Sequence, residues 1–257
     1  MKRKINVFVL MALIPLMGAV AQQINTTADI IDEIEELRTL SQKIGSYYIL
    51  SSLYPTEEKY KNKEIEYIDR FNDGLVKLID ADLDDEINIE LQKLNLTWLY
   101  VNKILKTKYE RQAAAKILDK LEDLQKEAES IAEMILKRTK KDLAKIVKVA
   151  AETRVMFQRM NLYFMANKAN IINTSIADRY ADSVNKIKEG VSYLESWDQN
   201  DDTMLMMLEM LKNKMKPIVK TTDVKKVNYK PVIFNMIAEG FDDDLKLLIK
   251  AYKEKTQ

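Results

Sequence analysis

The chain of 257 residues has no cysteine and no histidine, and only five glycines and four prolines. Without cysteine there is no disulfide, no thiolate nucleophile and no lipid-bearing cysteine. Without histidine, imidazole bases, ordinary zinc sites and the Glu-x-x-His pairs of di-iron bundles are excluded. The serines have no base to activate them and no Gly-rich phosphate loop occurs, so neither an enzyme nor a cofactor is expected. So few turn-forming residues also argue against a many-stranded sheet. With 47% hydrophobic and 32% charged residues, the composition predicts an all-α protein.

Residues 1–21 stand apart. Lys2, Arg3 and Lys4 precede an apolar run from Val7 to Val20, and Ala19-Val20-Ala21 offers a small-x-small cleavage site, the pattern of a secretory signal peptide. The alternative, an uncleaved anchor, is disfavoured by the shortness of the run and by Pro15. No other stretch is apolar enough to span a membrane, so a periplasmic location is expected. Removing the leader takes three basic residues and no acid, leaving 38 basic against 40 acidic residues. A nucleic-acid partner is therefore not expected.

Three-and-four spacing of apolar residues predicts a helix from Thr27 to Leu53, a second after Thr56 as its cap, and a third opened by the acidic turn at Asp80 to Glu86. No Pro or Gly interrupts Ala113 to Ile172, which predicts one very long helix or two joined end to end. A helix to Trp197, a Met-rich helix from Thr203 and a last helix opened by Pro231 follow. A shift of 116 residues pairs Arg38 with Arg154, Gln42 with Gln158, Lys43 with Arg159 and Tyr47 with Tyr163. The predicted architecture is two tandem antiparallel four-helix bundles, 27–143 and 144–257, joined by a long continuous helix.

On the first helix, Ile30, Ile34, Leu37, Ser41, Ile44 and Tyr48 mark the core stripe, and Arg38 and Gln42 lie about 90° around from it. They share their stripe with Ile31, Gly45 and Ile49, a second contact surface. The later copy supplies Val147, Arg154, Gln158, Asn161 and Met165. A guanidinium in such a place needs an anion. Two facing arginines would hold a small oxyanion; alternatively Glu35, Glu36 or Glu152 answers the charge in a structural salt bridge.

"LRTLSQKIGSYYIL" and "TRVMFQRMNLYFMANK" resemble the first-helix signature of the PilJ/NarX-like sensory domain, found at the N-terminus of type IV pili methyl-accepting chemotaxis transducers and in nitrate/nitrite sensor kinases. "IDRFNDGLVKL", "ADRYADSVNKI" and Trp98 extend the likeness, in two copies, over nearly all of the chain after the leader. The resemblance implies periplasmic four-helix bundles, with Arg38 and Arg154 at the positions that contact nitrate at a dimer twofold. Glu35 and Ala151 replace the family glycine, and Glu36 and Glu152 its first arginine, placing a carboxylate beside the site in both copies. The ligand or partner contacts so expected are Arg38, Gln42, Lys43, Arg154, Gln158 and Arg159.

Two weaker patterns complete the reading. Asp198, Asn200, Asp202 and Glu209 fall at calcium-loop positions, but Thr203 replaces the required glycine, so a capped helix start is expected. Met204, Met206, Met207, Met210 and Met215 could hold copper(I), but alternate with leucines as core methionines do, and no metal is expected. The function expected is that of a stand-alone exported sensory or ligand-binding bundle, signalling through a membrane-bound sensory partner. The alternative is a structural or interaction module of the envelope. With each arginine off the core stripe, a homodimer along the first helices is expected, and alanine at Arg38 or Arg154 should leave the melting temperature nearly intact.

Overall fold

The computed structural model describes residues 27–81, 83–138 and 142–255; the leader read at 1–21 lies outside them. Among the described residues there are eight α-helices, one 3-10 turn and no strand. The helices are α1 (Thr27–Leu53), α2 (Glu58–Ile79), α3 (Asp85–Leu105), α4 (Arg111–Arg138), α5 (Asp142–Lys168), α6 (Ile176–Glu195), α7 (Asp202–Met215) and α8 (Pro231–Glu254). None of them is long and apolar enough to cross a membrane.

Local chemistry sets several of the ends. The Asp84 carboxylate accepts from the Ile87 amide at 3.2 Å to start α3, Asp201 does the same for Met204 at 3.0 Å to start α7, and Pro231 opens α8. The capped helix start expected in place of a calcium loop is therefore made by Asp201, which lies between the loop positions Asn200 and Asp202. Thr56 is not the cap of α2, which begins at Glu58 behind Glu57. Asn170, at φ 53°, ends α5 in the left-handed turn that asparagine tolerates, and the Ile171 amide donates back to the Ala166 carbonyl at 3.1 Å.

The expected continuous helix is not formed. Lys148 reaches Glu133 at 2.7 Å and Arg159 reaches Glu122 at 2.8 Å, so positions fall along α4 as they climb along α5. The two helices are antiparallel, and the chain reverses between Arg138 and Asp142. A single helix over this stretch would be about 90 Å long and would strand half of each apolar stripe in water. Folding back instead lets both helices pack on α1.

The reversal puts α1 and α5 side by side and parallel at the centre. Around this pair, α1 touches α2, α4 and α5, and α5 touches α1, α6 and α8. The two central helices are buried on every side over 37–50 and 153–166, stretches that superpose under the 116-residue shift. Amphipathic periodicity vanishes there because no face is left for solvent. Gly45 makes the close approach possible, since a β-carbon on it would lie 2.5 Å from Leu121 Cδ1 of α4 and 2.9 Å from Leu162 Cδ1 of α5. One hydrophobic cluster runs through both halves, from Ile31 to Tyr252. Phe157 on Phe241 (3.9 Å between centroids) and Phe164 on Phe234 (4.1 Å) stack α5 on α8.

Candidate functional site

All six residues singled out in the repeated line are buried. Arg38 is 1% exposed and Arg154 2%, and Gln42, Lys43, Gln158 and Arg159 are buried with them, Arg159 the least completely at 7%. The stripe they occupy is a second contact surface, as its composition suggests, but the surface it meets belongs to the same chain. The first-helix faces expected to join two molecules are already filled by one another.

The two arginines are answered by different carboxylates. Arg38 Nη1 donates to both oxygens of Glu35, one turn back on α1, at 2.7 and 2.8 Å, and its Nη2 lies 3.5 Å from Glu129. Burial pushes the Glu35 carboxyl above its ordinary range; Arg38 opposes the rise and nearby Glu152 adds to it. Arg154, at the matching position of α5, uses Nε to bond Asp242 of α8 at 2.5 Å, and its Nη2 pairs with Glu36 of α1. Asp242 also takes Lys43 at 2.8 Å and Lys246 at 2.8 Å. Burial alone would raise this carboxyl, but Arg154, Lys43 and Lys246 together hold it well below the usual carboxylate range.

Lys43 and Arg159 form a crosswise pair. Lys43, on α1, reaches Asp242 and Glu239 of α8, the latter at 2.6 Å. Arg159, on α5, makes a fork with Glu122 of α4 at 2.8 and 3.0 Å and reaches Asp182 at 2.5 Å. Each copy of the line therefore clamps the last helix of the other half. Tyr163 adds a 2.5 Å bond to Glu122, whose carboxyl is lowered although burial acts to raise it. Between these clamps lies an amide layer. Gln158 donates to the Ala238 carbonyl at 2.8 Å, Asn161 to Asn235 at 2.8 Å, and Gln42 to Ser41 at 3.1 Å.

No family model, curated protein or solved structure matches the chain.

Chemically, the six residues form an interior ion and amide network in which each cation has a carboxylate of its own chain. Arg154 borders an opening. A cleft of about 520 Å³ separates the first turns of α1 from the end of α8, lined among others by Asp32, Glu36, Arg154, Lys246 and Lys250. Among the described residues no cluster of acids could hold a metal ion. The methionines of α7 are divided, Met204 and Met215 facing the core and Met206 and Met210 facing solvent.

The answering carboxylates, Asp242, Glu122 and Glu239, are what the sequence reading missed. A signal for two of them was present. Asp242 lies in the stripe of Ala238, Phe241 and Leu245, and Glu122 in that of Leu118, Leu121 and Gln125. An acid set inside an apolar stripe asks for a buried cation.

Proposed function

We propose that the chain is a non-enzymatic, exported interaction module made of two tandem antiparallel four-helix bundles of the PilJ/NarX-like kind, fused side by side through their first helices. In this reading the arginine that serves relatives of this type as an anion contact has become the internal fastening of the fused pair. The observation that carries it is the pairing of Arg38, Arg154, Lys43 and Arg159 with carboxylates of their own chain, all out of solvent. The test is thermal unfolding against nitrate, nitrite, sulfate, phosphate and small carboxylates. No rise beyond the general effect of salt is expected, because a ligand that bound only the folded state would have to raise the melting temperature.

The ligand-binding reading can be placed at the cleft. Arg154 borders the cleft together with Lys246 and Lys250, so an oxyanion sensor would use the second copy and not the first. A selective shift with one anion, lost in Lys250→Ala and kept in Arg38→Ala, would favour that reading over the interaction module.

A further inference from the structure

The two central helices leave no face for a partner, but α3 has one that nothing covers. Its solvent side reads Asp85, Glu86, Ile89, Gln92, Lys93, Leu96, Leu99, Tyr100, Lys103 and Lys106, the three-and-four spacing of an interaction stripe. Leu96 is 68% exposed, and Ile89, Leu99 and Tyr100 are each about half exposed. The core side of the same helix, Ile87, Leu91, Leu94, Trp98 and Val101, already packs within the chain. A second run of apolar side chains on the solvent side contributes nothing to folding.

The order of charges along this stripe identifies the occupant. Acids lie at one end, apolar residues in the middle and lysines at the other end, so the stripe is complementary to itself when reversed. Laying two copies antiparallel gives layers of Asp85 with Lys103, Ile89 with Leu99, and Gln92 with Leu96, each repeated by the twofold. Neither Asp85 nor Lys103 has an ion pair with a described residue of its own chain. Glu86 is taken by Arg138, and Lys93, the one charge near the middle, is answered by Glu90 at 2.5 Å. A parallel pairing would instead set lysine against lysine and acid against acid.

We propose that α3 is a homodimer interface, two copies of the chain pairing antiparallel through Ile89, Leu96 and Leu99, with Asp85 and Lys103 closing both ends. The equivalent helix of the second half, α7, has acid and lysine at the same ends but is only 14 residues long, and its lysines are already taken, Lys212 by Glu195 and Lys214 by Asp244, so pairing stops at two copies and does not extend into filaments.

The test is sedimentation velocity of the full chain from micromolar to submillimolar concentration at low salt. Wild type forms a dimer. Leu96→Glu, at an exposed position, leaves helix content and melting temperature unchanged and abolishes the dimer. Asp85→Lys alone and Lys103→Asp alone each raise the dissociation constant about tenfold, because the twofold duplicates every layer. The two together recover most of the affinity, which only an antiparallel register explains. A wild-type chain that stays monomeric, one that binds vesicles through Leu96 as a monomer, a dimer indifferent to Leu96→Glu, or a double variant no better than the single ones would each overturn the proposal.

Discussion

Replacing Asp242 by asparagine keeps its shape and removes the charge that Lys43, Arg154 and Lys246 share in the interior. Unanswered buried cations are costly, and a loss of about 3–5 kcal/mol is expected in urea unfolding. The same group sets a pH dependence. Its carboxyl is held below the ordinary range in the folded state, so its contribution is complete above an unfolded carboxylate pKa of about 4 and drains away as pH falls below that. Wild type should lose stability in acid more steeply than Asp242→Asn, which thermal unfolding at neutral and acid pH would show. Arg154→Ala belongs to the same network, so the near-unchanged melting temperature expected from a surface position is replaced by a large fall. At this scale the repeated line was legible as special, because an arginine, an amide and a glycine interrupt an apolar stripe. Apart from Glu35, its charged partners were not, since they lie 23 to 199 residues away in sequence, as Asp182 does from Arg159 and Asp242 from Lys43.

Helices were the most readable feature, and α1 and α8 begin where their spacing and proline place them. The reversal between α4 and α5 was not readable, because no Pro or Gly marks it and the cause is distant: both helices are drawn onto α1. Cysteines introduced at Glu133 and Lys148 and treated with a short bismaleimide test the hairpin directly, in a chain with no competing thiols. Cross-linking within one molecule is expected, whereas a continuous helix would hold these positions about 22 Å apart. The hairpin's tight contact with α1 is tested by Gly45→Ala. Alanine favours a helix by up to about 1 kcal/mol over glycine, but here its methyl group must displace Leu121 and Leu162 in a filled core. Overpacking should win, with a net loss of about 1–3 kcal/mol in chemical denaturation.

For the whole molecule, the clamps of Lys43 on α8 and Arg159 on α4 tie each half to the other. Expressed alone, residues 1–138 should lack fixed tertiary packing, seen as weak near-ultraviolet dichroism, because the inner face of α1 has nothing to cover it. Co-expressed with residues 142–257, it should be recovered as a one-to-one complex. The shared central pair also governs timing. During synthesis α1 emerges first, yet its main neighbour α5 is completed only at Lys168, and contacts so far apart in sequence close late. Until then the early chain has no stable resting place and stays loose, the form in which the export proposed above would have to find it.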